Sequence, residues 1–123
     1  MSTLRVVVAD DLVDMRFLLT SNLTHRGFDV VGQACDSASA EKLAAELRPD
    51  GVVIDLNMPG TDSVGAIRRI RAALPDARIL AISATPSQPD VRSAALGAGA
   101  DAFFDKADGF NDLTRCFASL FET

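Results

Sequence analysis

Gly51-Val52-Val53-Ile54-Asp55-Leu56-Asn57-Met58-Pro59-Gly60 sets an unbroken apolar run against an abrupt polar turn. Val52-Val53-Ile54 is β-branched throughout and carries no polar alternation, the pattern of a strand buried on both faces. Asp55 closes the run, and Pro59-Gly60 turns the chain away. Such a strand needs helices above and below it, and the flanking sequence supplies them. Four further runs read the same way: Leu4-Arg5-Val6-Val7-Val8-Ala9, a run centred on Val30-Val31, Ile79-Leu80-Ala81-Ile82, and Ala102-Phe103-Phe104. Between them the apolar residues take helical spacing. Leu12, Met15, Leu19 and Leu23 share one face. So do Ala40, Leu43, Ala44 and Leu47; Val64, Ile67, Ile70 and Leu74; Val91, Ala94, Ala95 and Ala98; and Phe110, Leu113, Phe117 and Leu120. Gly27, Pro49, Pro75 and Gly99 fall where a helix should stop, and Ser37 and Asp62 read as N-caps. Strict β-α alternation predicts a doubly wound α/β fold, flavodoxin-like, with a five-stranded parallel sheet and five helices. Right-handed crossovers favour the strand order 2-1-3-4-5.

Composition sets the outer limits. The 123 residues fit one domain, read here as 1–123, with 48% hydrophobic and 24% charged content suited to a packed globular core. A net charge of −5 and a pI near 4.6 disfavour direct contact with nucleic acid. No apolar run approaches the length of a membrane span, and Met1-Ser2-Thr3-Leu4-Arg5 lacks a signal-peptide pattern. Cys35 and Cys116 read as reduced, semi-buried residues of a cytoplasmic protein, although sequence alone leaves a disulfide open.

In this fold, ligands bind beyond the carboxyl ends of the strands, near the point where strand order reverses. The residues that follow the runs are therefore the candidate site: Asp10 and Asp11 after the first, Asp55 after the third, Ser83 after the fourth, Lys106 after the fifth. Three crowded carboxylates raise one another's pKa, and a hard divalent cation with oxygen ligands relieves the conflict. Mg2+, or Mn2+, suits a site that supplies one or two carboxylates plus phosphate oxygens. Lys106 adds a compact charge able to pair with a carboxylate or with phosphate, and Ser83 adds a hydroxyl donor. A carboxylate flanked by metal and lysine is equipped to become an aspartyl phosphate.

At this point the residues resemble a family, the receiver domains of two-component response regulators. Val53-Ile54-Asp55-Leu56-Asn57-Met58-Pro59-Gly60 is similar to its phosphoacceptor segment, and Val8-Ala9-Asp10-Asp11 to its acidic pair. Ile82-Ser83-Ala84 resembles its fourth-strand switch position with the small residue that follows. Phe104-Asp105-Lys106 carries its lysine, and Ala98-Gly99-Ala100-Asp101 its approach to strand five. The resemblance implies that Asp55 accepts the phosphoryl group. It implies that Asp11 ligates the metal directly, that Asp10 assists, often through water, and that Asp55 and the backbone carbonyl of Asn57 complete the protein ligands. Ser83 and Lys106 would contact the phosphoryl oxygens, with Ala84 the small residue of the switch position, and Phe103 would be the aromatic that turns inward. Asn57 and Thr85 would flank the site and tune the phosphoryl lifetime.

The implied protein is a signalling switch rather than a turnover enzyme. Its donor would be a phosphohistidine on a histidine kinase or histidine phosphotransfer protein. Its target would be a downstream protein or a separate output domain, reached through the face of helix 4, strand 5 and helix 5, which could also form a homodimer. No output domain follows in this sequence, so the effect would pass through protein contact unless the chain is a piece of a longer protein. His25 is expected to play no part. Two features depart from the commonest family pattern. Ala107 replaces the proline that often follows the lysine, as in receivers of the helix-turn-helix subfamily, so that bond should be trans. Asp105 either competes for Lys106 or faces solvent. Thr85-Pro86-Ser87-Gln88-Pro89 is a proline-rich loop expected to stiffen the switch region. Three other readings stand beside this one. An aspartate-nucleophile phosphohydrolase needs an acid where Asn57 stands. A flavin-binding module needs a Ser/Thr/Gly-rich loop where Asp10 and Asp11 stand. A receiver-like scaffold that is never phosphorylated would bind partners constitutively.

Overall fold

The computed structural model describes residues 3–59, 62–84 and 89–122. Among these residues five strands alternate with five α-helices: β1 (Arg5–Ala9), α1 (Val13–His25), β2 (Asp29–Ala34), α2 (Ser37–Leu47), β3 (Gly51–Asp55), α3 (Ser63–Ala73), β4 (Arg78–Ser83), α4 (Pro89–Ala98), β5 (Ala102–Asp105) and α5 (Phe110–Ser119), with a 3-10 turn at Lys106–Asp108. All strands pair in parallel, in the order β2-β1-β3-β4-β5. This is the doubly wound, flavodoxin-like arrangement expected from the alternation.

The two-residue period of a strand sorts the core into two layers. Val7, Ala9, Val52, Ile54, Ile79 and Ala81 pack with Ala40, Ala44, Ile67, Ile70 and Ala95, beneath α2, α3 and α4. The alternate residues Val6, Val8, Val53, Leu80 and Ile82 pack with Leu19, Leu23, Leu113 and Phe117, beneath α1 and α5. Every residue of β3 is therefore buried, as its unbroken apolar run requires. β2 lies at an edge and is only half-buried. Gly51 has no side chain because there is no room for one. A Cβ there would stand 2.5 Å from Phe117 Cζ and 2.8 Å from Phe121 Cζ. Those rings meet edge to face and both are tilted against Phe28, with centroids 5.3–5.7 Å apart.

Several local expectations need correcting. Asp36, not Ser37, caps α2: its side chain accepts the Ser39 N–H. Ser37 is the first helical residue, and its Oγ accepts the Asp62 N–H across the rim. Asp62 does cap α3, through the Gly65 N–H. Leu12 lies at the N-cap of α1, 57% exposed, so the buried stripe begins only with the half-buried Met15. Ala94 is exposed while Ala95 and Ala98 face the core. Both cysteines are free thiols, and Cys35 is exposed rather than semi-buried. Peptide bonds among the described residues are trans, Lys106–Ala107 included. Thr85–Gln88 of the proline-rich loop lie outside the described residues.

Candidate functional site

β1 and β3 are neighbours, so the residues leaving their carboxyl ends meet on one rim. Asp10 is fully buried there. Its N–H donates to the Ala34 carbonyl at 3.0 Å, its Oδ1 accepts the Leu12 N–H at 3.0 Å, and its carbonyl accepts Arg16 Nη1 at 2.7 Å. Only Oδ2 is left. It lies 2.8 Å from Lys106 Nζ, close enough for an ion pair but outside hydrogen-bonding geometry. Asp55, the last residue of β3, is 1% exposed. Its Oδ1 accepts the Asn57 N–H at 2.9 Å, its carbonyl accepts Ser63 Oγ–H at 2.9 Å, and its Oδ2 accepts Lys106 Nζ at 2.9 Å. Oxygens of Asp10, Asp11 and Asp55 all lie within 4.8 Å of one another, with Asp11 the most open of the three.

Lys106 reaches this cluster from β5, across the width of β4. Its side chain is 9% exposed and bridges Asp10 and Asp55. The charges are tuned accordingly. Burial pushes the Asp55 carboxyl above the usual carboxylate range. The Asn57 N–H and Lys106 pull it partly back, while Asp10 pushes it further up. Burial works against the Lys106 ammonium, but its contacts with Asp10 and Asp55 outweigh that, and it titrates above an ordinary lysine. One ammonium thus serves two buried carboxylates, with Asp11 beside them. This donor set fits a hard divalent cation. It is all oxygen, it carries excess negative charge, and Asp10 Oδ2 is a buried acceptor with no hydrogen bond.

The remaining expected residues fall into place less uniformly. Ser83 is buried at the end of β4, and its hydroxyl donates to Asn57 Oδ1 at 2.7 Å. The N–H of the exposed Ala84 donates to the same oxygen at 3.1 Å. The Asn57 side chain, expected to flank the site while its carbonyl faced the metal, therefore ties the β3 rim to the β4 rim. Phe103 is half-buried against the core layer beneath α2, α3 and α4, with the Arg92 guanidinium 5.9 Å from its ring centre. Asp105 neither competes for Lys106 nor simply faces solvent. Its Oδ1 accepts the Ala107 N–H at 2.8 Å and caps the turn that begins at Lys106. His25 is the last residue of α1, at the far end of that helix from Asp10 and Asp11. Gly60 and Thr85 lie outside the described residues. Arg16 was not singled out by sequence. The one signal for it is its position one turn into the helix that follows the acidic pair.

Comparisons with known proteins bear on the family and the fold. The chain is 36% identical to the chemotaxis protein CheY of Thermotoga maritima over 102 residues, 83% of this chain and 84% of CheY. It is 41% identical over 105 residues to the transcriptional regulatory protein PrrA of Mycobacterium leprae. It spans 44% of PrrA, and only 28% of a similarly related protein-glutamate methylesterase from Haloarcula marismortui. Among solved structures, the signal receiver domain of NarL from Mycobacterium tuberculosis superposes with a TM-score of 0.88 at 31% identity, covering 98% of this chain and 97% of that one. CheY from Borrelia burgdorferi, solved in complex with CheX, BeF3− and Mg2+, gives 0.89 at 25% identity, covering 98% and 90%. The stretch that matches the response regulator receiver domain family runs over residues 6–117, from β1 into α5 and through every rim residue described above, so the chain belongs to that family.

Proposed function

We propose that residues 1–123 work as one phosphorylation-dependent switch in which Asp55 accepts a phosphoryl group. Receiver domains act as signalling switches and hold Mg2+ in an acidic pocket. The observation that carries the reading is the buried Asp55 at the end of β3, 2.9 Å from Lys106 Nζ and within 4.8 Å of both Asp10 and Asp11. Asp10, Asp11, Asp55 and the Asn57 carbonyl would hold Mg2+, or Mn2+ in its place. The ion would screen the charge that gathers between carboxylate and phosphoryl oxygens. An Asp55 carboxylate oxygen forms the new bond to phosphorus as the bond to the leaving imidazole of a phosphohistidine breaks. Lys106 is already charged and already at the carboxylate, so it neutralises phosphoryl oxygens without a proton transfer. Ser83 and the Ala84 N–H, now held by Asn57 Oδ1, are the donors that would turn to the acquired group. Phe103 would follow, carrying the change to the α4–β5–α5 face.

The phosphodonor would be a histidine kinase or phosphotransfer protein. The partner on the switching face would be a downstream protein, an output domain or a second copy of the chain. The proposed setting is the cytoplasm, in keeping with two free thiols. Among the described residues no helix is long and apolar enough to cross a membrane. Intact-mass measurement after incubation with Mg2+ and a small-molecule phosphodonor tests the reading. One phosphoryl adduct is expected on the wild type, none on Asp55→Asn, and none after chelation. An unmodified wild type that also fails to bind beryllofluoride with Mg2+ would refute it.

A further inference from the structure

We infer that Arg16 is a positioning residue for the divalent cation, acting through the backbone of Asp10; the inference rests on the proposed metal-dependent switch. Asp10 is fully buried, and its fixed groups are spoken for: N–H to Ala34 O, Oδ1 to Leu12 N–H, carbonyl to Arg16 Nη1. The Arg16 bond is the shortest of the three, at 2.7 Å, and it is partly buried. It joins a side chain in the second turn of α1 to the last peptide before the acidic turn. Leu12 at the N-cap of that helix has no capping side chain, so this bond and the Leu12 N–H bond to Asp10 Oδ1 are what tie the helix start to the acidic turn among the described residues. The bond therefore fixes how Asp10-Asp11-Leu12 leaves β1. That in turn sets where Asp10 Oδ2 and the open Asp11 carboxylate point.

The sign of the effect separates this role from a merely electrostatic one. Arg16 is a cation bonded to the backbone of the acidic turn. If its charge were all that mattered, removing it would deepen the negative potential and tighten the binding of a dication. A positioning residue predicts the opposite. Losing a partner that orients a ligand typically weakens metal affinity about 10–100-fold. Burial of Asp10 and Asp55 keeps their geometry from being averaged by solvent, so the lower end of that range is expected here.

The test is a titration of the whole chain with Mg2+, followed by amide NMR spectra, for the wild type, Arg16→Met and Arg16→Lys, well below each variant's unfolding midpoint. Arg16→Met should weaken Mg2+ binding about tenfold. In the metal-free chain it should also quicken hydrogen exchange at the Leu12 amide, which reports the Asp10 Oδ1 bond without any activity measurement. Arg16→Lys keeps the charge and one donor, and should recover part of both effects. Unchanged or tighter Mg2+ binding in Arg16→Met overturns the inference, as does weakened binding with Leu12 exchange unaltered. A wild type that binds no Mg2+ would instead count against the proposed function itself, so the two failures are distinguishable. Should Arg16→Met not fold, Arg16→Lys alone decides: binding and exchange equal to wild type would overturn the proposal.

Discussion

Replacing Lys106 by methionine probes the arithmetic of the site most directly. The substitution keeps an unbranched side chain of similar length and removes only the ammonium. In the wild type that ammonium stands 2.8 Å from Asp10 Oδ2 and 2.9 Å from Asp55 Oδ2, and both carboxylates are at most 1% exposed. Taking one partner from a buried ion pair typically costs about 3–5 kcal/mol, because the remaining charge is left without compensation. For 123 residues, unfolding entropy of about 2.1 cal/mol/K per residue turns this into a fall in Tm of roughly 12–19 °C near neutral pH. The penalty must depend on pH. Burial holds the folded-state pKa of Asp55 above its ordinary value of 3.8. The folded chain therefore binds more protons than the unfolded one above that value, and the carboxyl loses stability as pH rises through the window. Without Lys106 that folded-state pKa rises further. The gap between variant and wild type should thus be small near the ordinary carboxylate pKa and widen towards neutrality. Mg2+ should stabilise each protein, by about 2.7 kcal/mol at a hundred times its own dissociation constant, so the gap narrows only as far as the variant binds the ion more tightly than the wild type. Thermal unfolding followed by circular dichroism at pH 5 and pH 8, with chelator and with Mg2+, measures all of this. A deficit below about 1 kcal/mol at pH 8, or an equal deficit at both pH values, would refute the crowded-carboxylate account.

Other substitutions separate stability from function. Asp55→Asn removes a carboxyl whose ionisation burial opposes, so it should fold with a Tm equal to or above that of the wild type while accepting no phosphoryl group; an unfolded variant in the same melt would speak against the charge argument. Gly51→Ala forces a Cβ into the Phe117 and Phe121 rings and should cost about 1–3 kcal/mol in urea unfolding, with phosphoryl acceptance per folded molecule unchanged. Asp62→Ala removes the N-cap that takes the Gly65 N–H and should cost about 0.5–2 kcal/mol, read as a lower urea midpoint.

The fold was legible because burial leaves a simple record. β3 is apolar at every position before Asp55 because helices cover both of its faces. The alternation of Val6 and Val8 against Val7 and Ala9 across two core layers follows from strand geometry alone. Chain direction then delivers Asp10, Asp11, Asp55, Ser83 and Lys106 to one rim, since parallel strands end on the same side. What composition and period could not reveal is which partner a polar side chain takes when several lie within reach. Asp36 and Ser37 are both competent N-caps, and one residue of helix phase decides between them.

The same limit explains the three misread or unread residues of the site. Asp105 faces a lysine in sequence, yet a short carboxylate two residues before an N–H readily closes a local turn, and that is the bond it makes with Ala107. Asn57 carries two kinds of hydrogen-bonding group. The motif speaks for its carbonyl, while the approach of the β4 end gives its side chain Ser83 and Ala84. Arg16 looks like any solvated helical arginine until the tight exit from β1 brings the Asp10 carbonyl within 2.7 Å of it. The Asn57 bonds join the ends of β3 and β4, which strand order brings together, while those of Asp105 and Arg16 depend on how the chain turns as it leaves β5 and β1. The site's charges could be read from residue types, because three acids and one lysine on a rim have few arrangements. The hydrogen bonds that aim those charges could not, because residue type alone does not choose among partners within reach.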